Sequence, residues 1–308
     1  MTETSSVKYS VVAIGKFEGV HRGHQKILQR LNSVAKKNSY KAIVLTFENN
    51  PLSVLKPEAC PLPLMSPKQR QEALIDRGVQ EVFMIPFTKD LASQTPEEFV
   101  QTYLVNKLHA KHVIVGDDFR FGSEASGDSK TLEAIGKEHN FTVEVIAEVT
   151  DAEAGRVSST LIREELAKGN VAFAAQLLGH LHSVRGVVVQ GDASGRELGF
   201  PTANLGPKTG AKTLEGMVPA DGVYAGYALV GENSYPAAIS VGNNPTFTPT
   251  GQSRVEAYLL DFSGDLYGQT IEVLFADYIR PTLTFNSVED LITQMHADVE
   301  SCRVALSL

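Results

Sequence analysis

Two histidines, His21 and His24, stand three residues apart in the decamer Gly15-Lys16-Phe17-Glu18-Gly19-Val20-His21-Arg22-Gly23-His24. An apolar run at residues 9–14 precedes the decamer, and Ile27, Leu28, Leu31 and Val34 follow it at helical spacing. The order is therefore strand, glycine-rich loop, helix. That order brings both histidines to a helix N-terminus, where free backbone N–H groups and the helix dipole favour anions. If the first helical turn includes them, their i,i+3 spacing turns them to one side. A neutral imidazole donates a hydrogen bond and a protonated one adds charge, so the chemistry on offer is the handling of phosphate. Surface histidines or a helix cap would explain the pair alone. The company of Gly15, Phe17, Gly19, Val20 and Gly23 favours a nucleotide.

A second constellation lies at residues 191–204, Gly-Asp-Ala-Ser-Gly-Arg-Glu-Leu-Gly-Phe-Pro-Thr-Ala-Asn. Gly191, Gly195 and Gly199 permit close backbone approach to a ligand. Pro201 fixes the backbone ahead of Thr202 and Asn204, which share a side of an extended segment. A hydroxyl and an amide carbonyl are hard oxygen donors. They suit a Mg²⁺ ion that keeps waters and phosphate oxygens as its other ligands. The competing interpretation is a glycine-rich hairpin with a capping threonine.

The elements that must position these groups fall into two patterns. From residue 9 to about 147, strands at 9–14, 41–47, 81–86, 111–115 and 142–147 alternate with helical stretches. Pro67 opens one helix, a Thr95-Pro96-Glu97-Glu98 capping box opens another, and a third spans 129–138. The alternation predicts a mainly parallel, doubly wound α/β sheet, whose ligands sit beyond the carboxyl ends of the strands. Three further segments then come under inspection. Glu48-Asn49-Asn50-Pro51 follows the second strand and reads, by itself, as a turn. Gly116-Asp117-Asp118-Phe119-Arg120-Phe121-Gly122 follows the fourth. Its aromatic residues suit a loop that closes on a ring-bearing ligand, or they tuck into the core. Val157-Ser158-Ser159-Thr160-Leu161-Ile162-Arg163 follows the fifth, and its hydroxyls cap a helix that carries Arg163.

The pattern changes near residues 179–183, which divides the chain into domains 1–180 and 181–308. Strands are expected at 184–190, 222–230, 237–241, 255–262 and 270–278, then one helix from Ser287 to about Leu306. Val288, Leu291, Ile292, Met295 and Val299 mark a core or docking face on that helix. Many short strands and one helix suggest a small antiparallel barrel with a helix packed on it.

Net charge is −8 over 308 residues, unevenly spread: residues 181–308 carry 7 Lys+Arg against 14 Asp+Glu. So acidic a half is a poor nucleic-acid binder, because that binding runs on phosphate neutralisation. No apolar run reaches membrane-spanning length and the start carries no secretory pattern, so a cytoplasmic, non-membrane protein is expected. The two cysteines, Cys60 and Cys302, read as ordinary thiols.

These motifs resemble two known signatures. The decamer is similar to the G-x-F-D-G-V-H-x-G-H motif of nucleotidylyltransferases, and 116–122 and 158–163 resemble the adenylyltransferase half of bacterial bifunctional riboflavin kinase/FAD synthetases. Residues 195–204 resemble the G-R-x-L-G-F-P-T-A-N signature of riboflavin kinases. Asp221-Gly222-Val223-Tyr224, Ser240-Val241-Gly242, Asn244-Pro245-Thr246-Phe247, Val255-Glu256, Asp265-Leu266-Tyr267-Gly268 and Ile279-Arg280-Pro281 extend that likeness. The resemblance implies a Rossmann-like nucleotidylyltransferase domain followed by a riboflavin kinase-like barrel. It implies two reactions on one chain: riboflavin to FMN with ATP, then FMN to FAD with a second ATP. Residues expected at ATP are Gly15, Phe17, His21, Gly23, His24, Ser159, Thr160 and Arg163 in front, and Gly191, Arg196, Gly199, Thr202 and Asn204 behind. Thr202 and Asn204 would hold Mg²⁺, Glu256 would be the kinase base, and His21 and His24 would serve adenylyl transfer. Asn50, Asp118, Phe119, Phe121 and Arg280 are expected at the flavin. The chain departs from the family pattern in having Glu18 for aspartate, Asn49-Asn50-Pro51 for Pro-His-Pro and Leu161 for arginine. Those departures imply a slower, or differently tuned, adenylyl transfer. The other readings to separate are a kinase with an inactive front domain and a flavin- or nucleotide-binding regulator.

Overall fold

Ser10–Ile14 (β1) is a run of small and β-branched residues, and all five are buried. Such a run suits a strand covered on both faces. In the computed structural model, which describes residues 8–153, 155–191, 199–242 and 254–308, β1 pairs in parallel with two neighbours. The strands are Lys41–Phe47 (β2), Glu81–Ile85 (β3), Ala110–Gly116 (β4) and Thr142–Ile146 (β5), in the order β3-β2-β1-β4-β5. The doubly wound expectation therefore holds. The order reverses between β1 and β4, which makes the space beyond their carboxyl ends the switch-point crevice.

The helices follow their local signals. Arg22–Asn38 (α1) buries Ile27, Leu28, Leu31, Val34 and Ala35, and ends on Ser39 in the left-handed region. Leu52–Leu55 (α2) is one turn. Pro67–Ile75 (α3) starts at the proline. Lys89–Ser93 (α4) is capped by Thr88. Pro96–Phe99 (α5) has the full Thr95–Glu98 capping box and runs on into wider π-type turns at Val100–Lys107. Ser129–Glu138 (α6) is capped by Asp128. A small hairpin of Thr150–Asp151 (β6) and Gly155–Arg156 (β7) follows β5. It is too short and polar to carry a strand pattern in sequence.

Packing groups the described residues into two units. One comprises residues up to Leu62 with Pro67–Ser158, and the other Pro63–Ser66 with Ser159–Leu308. Ser159–Ala167 (α7) and Val171–Leu178 (α8) thus pack with the barrel, whereas the sequence pattern assigns them to the front domain. The Leu166 carbonyl accepts from Ala220 N at 3.0 Å.

The barrel closes through His182–Val189 (β8), Ala203–Gly206 (β9), Gly222–Val230 (β10), Asn233–Gly242 (β11), Arg254–Leu259 (β12) and Thr270–Arg280 (β13). The strand order is β10-β11-β12-β9-β8-β13, antiparallel throughout. Alternating burial along β8 and β12 shows one face turned into the core. β11 begins earlier than expected because Gly231, at φ 60°, closes a two-residue hairpin after Val230. β9 is four residues long and was not among the expected strands.

Val288–Ala305 (α9) is capped by Ser287. Its expected apolar face is only partly used, and Val288 is 54% exposed. The residues it buries are Asp298 and Cys302. Docking runs through the C-terminal half, where Cys302 Sγ lies 3.7 Å from the Tyr224 carbonyl. Both cysteines are free thiols. Among the described residues no helix is long and apolar enough to cross a membrane.

Candidate functional site

The loop after β1 is held in an uncommon shape. Phe17, Gly19 and Val20 have φ of 50°, 76° and 42°. Left-handed backbone costs a non-glycine residue on the order of 1–3 kcal/mol and persists only where the surroundings over-determine it. Here Phe17 and Val20 are fully buried, and Gln25 Nε2 donates to the Val20 carbonyl at 2.9 Å. The turn delivers His21 in an extended conformation as the N-cap of α1. His24 lies on the first turn and stacks on His21, ring centroids 3.7 Å apart. Gly23 lies beneath them, and a Cβ there would crowd His21 Cε1 at 3.1 Å. Gly15 plays the same part for the Phe17 ring, at 3.2 Å.

Burial lowers both imidazole pKa values. His21 falls to about 4, with the positive charge of Arg156 adding to desolvation and Asp118 opposing it. His24 lies well below its ordinary value through burial, then through His21, Lys16 and Arg70. Both rings are neutral near pH 7. Each has a buried Nδ1 without a hydrogen-bond partner among the described residues. A pair of neutral rings with unspent hydrogen-bonding capacity, at a helix N-terminus, is suited to phosphate oxygens.

The loops after β2 and β4 flank this turn. Asn49 bridges to the loop after β3: its Oδ1 accepts from Phe87 N at 2.9 Å and its Nδ2 donates to Phe87 O at 3.1 Å. Asn50 Oδ1 accepts from Leu52 N at 3.0 Å, an Asx-turn that leads into α2. Asp118 accepts from Arg156 Nη2 at 2.6 Å, and Arg156 Nη1 also reaches Glu148 at 2.7 Å. Phe121 is buried in the core below, packed on Phe99. Phe119 is half-buried and stacks over it at 5.2 Å.

Arg156 carries no motif in the sequence. It sits at the end of a two-residue strand, and only its proximity to Asp118 and its electrostatic effect on His21 bring it into the site. Arg22 anchors the same hairpin through Asp151 at 3.1 Å. Ser159, Thr160 and Arg163 lie on the first turns of α7, in the second unit.

In the barrel, the predicted kinase residues meet. β9 and β12 place Asn204 directly opposite Glu256. Thr202 Oγ1 donates to Glu256 Oε2 at 3.3 Å, and Asn204 Nδ2 approaches Thr202 Oγ1 at 3.5 Å. A Cβ on Gly191 would lie 2.5 Å from Asn204 Cγ, so only glycine permits this approach. Gly199, at φ 87°, turns the chain ahead of buried Phe200, which packs against Tyr258 and His296. Arg196 and Asn244-Pro245-Thr246-Phe247 lie outside the described residues. Arg280, expected near the flavin, is anchored by α9. Its Nε and Nη2 donate to Asp298 at 2.7 and 2.6 Å and its Nη1 to the Pro281 carbonyl at 2.9 Å, so its guanidinium ties β13 to α9. His182 Nε2 pairs with the Met217 carbonyl at 2.6 Å, a core contact.

A parallel sheet with a histidine-bearing turn at its switch point, and a closed barrel with a hydroxyl, amide and carboxylate in one cluster, define a two-site nucleotide-dependent transferase. Comparison with known proteins follows the same division. The FAD synthetase family matches residues 3–161 and the riboflavin kinase family residues 178–306. The bifunctional riboflavin kinase/FMN adenylyltransferase of Escherichia coli K12 is 37% identical over 295 residues, covering 95% of this chain and 91% of that protein. The enzyme of the same description from Pseudomonas fluorescens is 38% identical over 293 residues, covering 95% and 92%. A solved structure described as a macrolide-efflux protein from Streptococcus pneumoniae has a TM-score of 0.84 and 36% identity, covering 96% of this chain and 94% of that one. The chain belongs to the bifunctional riboflavin kinase/FMN adenylyltransferase family.

Proposed function

We propose that the barrel unit transfers the γ-phosphoryl group of ATP to the ribityl primary hydroxyl of riboflavin, giving FMN and ADP. The front unit then transfers AMP from a second ATP to the FMN phosphate, giving FAD and pyrophosphate. The observation that carries this is the Thr202–Asn204–Glu256 cluster, where a carboxylate stands within hydrogen-bonding distance of a hydroxyl suited to phosphate and metal.

In the kinase step the attacking hydroxyl loses a proton, and Glu256 is the group to accept it. A general base of this kind contributes roughly 10²–10⁴-fold. Among the described residues no cluster of three or more His, Cys, Asp or Glu could hold a metal. The donor set that fits Mg²⁺ is the Thr202 hydroxyl and the Asn204 amide oxygen, with phosphate oxygens completing the shell. Mg²⁺ bound there would neutralise phosphate charge. Gly191 and Gly199 give the nucleotide backbone access, and Arg196 is assigned to the phosphate by resemblance.

Adenylyl transfer needs no base, because the FMN phosphate is already anionic. It needs positioning and charge stabilisation. His21 and His24 supply neutral N–H donors, the α1 N-terminus supplies its dipole, and Arg156 is a cation at the same loop. Ser159, Thr160 and Arg163 are assigned to ATP by resemblance. Exposed Asp118 and half-buried Phe119 belong to the loop assigned to the flavin, with Phe121 as their support. Asn50 is assigned to the flavin by resemblance, with its Oδ1 held by the Leu52 N–H. Arg280 shapes the flavin side by holding α9.

The test is incubation with riboflavin, ATP and Mg²⁺, with FMN and FAD resolved by chromatography. FAD accumulation supports both steps. FMN alone, even when FMN is supplied directly with excess enzyme, leaves a kinase only. No product leaves a binding protein.

A further inference from the structure

Arg70, on α3, is 5% exposed and Glu18 is 8% exposed. Arg70 Nη1 lies 3.7 Å from Glu18 Oε2. Its Nη2 donates to the Phe47 carbonyl and reaches the Glu48 carbonyl at 3.5 Å. One guanidinium therefore joins two loops at the carboxyl edge of the sheet. Glu18 belongs to the left-handed turn that presents His21 and His24, and Phe47 and Glu48 are the exit of β2, just before Asn49 and Asn50.

Within the turn the Val20 N–H donates to the Phe17 carbonyl at 3.1 Å, yet Phe17 and Val20 both carry side chains at positive φ. A turn of that kind keeps its shape by being held from outside. Phe17 and Val20 are held by the core, and Glu18, between them, is held by Arg70. A planar fork can address a carboxylate and two carbonyls in different directions at once, which a lysine ammonium on a flexible stem does less well.

We propose that Arg70 is a positioning residue for adenylyl transfer, clamping the histidine-bearing turn to the exit of β2 through Glu18. Glu18 and Arg70 act as one unit, and the longer glutamate is what spans from the turn to α3. The inference rests on the front unit carrying out FMN adenylylation.

The test compares Arg70→Met, Arg70→Lys, Glu18→Gln and the Arg70→Met/Glu18→Gln double variant in the full-length protein. FMN and ATP are supplied directly and FAD formation is followed. Riboflavin phosphorylation on the same preparations is the internal standard, and far-UV circular dichroism with limited proteolysis verifies the folded fraction. The expected result for Arg70→Met is a fall in kcat for FAD formation of about tenfold to a hundredfold, the range that ångström-scale misplacement of reacting groups produces. KM for FMN and kinase turnover stay within about twofold. Arg70→Lys recovers part of the loss. The double variant is no slower than the slower single variant, because the two residues act together. If Arg70→Met does not fold, Arg70→Lys and Glu18→Gln decide, both by reduced kcat at unchanged KM.

Wild-type kcat in the folded variants would overturn the proposal. So would a loss confined to KM, or fully additive effects of the two substitutions. If the unsubstituted chain makes no FAD from FMN, the proposed function of the front unit has failed. If it does and the variants match it, only the clamp has failed.

Discussion

Gly191→Ala is a small change with a calculable consequence for the kinase site. A Cβ at residue 191 would stand 2.5 Å from Asn204 Cγ and 2.6 Å from both Nδ2 and Oδ1. Ordinary carbon contacts lie at about 3.5–4.0 Å, so the amide must withdraw by roughly 1 Å. Asn204 has little room to comply: its backbone is in β9, paired opposite Glu256. Its amide also approaches Thr202 Oγ1, the hydroxyl that donates to Glu256. Displacing the amide therefore disturbs the whole donor set. Overpacking costs typically 1–3 kcal/mol, and a misplacement of about 1 Å costs roughly a hundredfold in rate, or about 2.7 kcal/mol. We expect kcat/KM for riboflavin phosphorylation, counted as FMN plus FAD, to fall by about 10²-fold, with the larger share in the response to Mg·ATP. FAD formation from supplied FMN should be unchanged, because the substitution touches only the barrel. A kinase within about threefold of wild type would refute the reasoning, since it would mean that Asn204 can move away without consequence.

Four further outcomes are expected. Glu256→Gln should reduce riboflavin phosphorylation by about 10²–10⁴-fold while riboflavin binding, followed by flavin fluorescence, survives; normal turnover would remove Glu256 as the base. His24→Ala should slow FAD formation and leave FMN formation intact; loss of the kinase instead would contradict one site per unit. Burial holds His21 and His182 at about 4, whereas an unfolded histidine titrates near 6.5. Between those values the unfolded chain binds more protons, so stability should fall as pH drops from about 6.5 towards about 4. The slope is up to about 1.4 kcal/mol per pH unit for each group, with no change from them above about 6.5. Urea midpoints followed across that window test it, and a constant midpoint would contradict neutral buried imidazoles. Asp298→Ala leaves Arg280 unpaired where both side chains are largely buried; the barrel unit should lose about 3–5 kcal/mol in urea unfolding, and an unshifted midpoint would show that the pair does not dock α9.

The features legible in one dimension are local ones. The parallel sheet is legible because buried parallel strands are continuous apolar runs, as at 10–14 and 41–47. Helix starts are legible because caps are short-range hydrogen bonds, as at Thr95. Thr202 and Asn204 are close in the chain, so their shared side follows from strand period alone. The partners come from residues remote in the chain. Glu256 becomes more than one acid among many when β12 sets it opposite Asn204. Arg156 enters the front site because a hairpin too short for any periodic signal folds it back onto Asp118. Arg280, expected at a ligand, spends its guanidinium on Asp298, and α9 docks by that pair and Cys302 more than by its apolar spacing. Glu18 and Asn50, departures from a pattern in one dimension, acquire Arg70 and the α2 backbone as partners in three. The physical reason is the same throughout. Backbone period and capping are set by neighbours in sequence. Charge pairing, burial and the protonation of His21 and His24 are set by neighbours in space, and only folding brings those together.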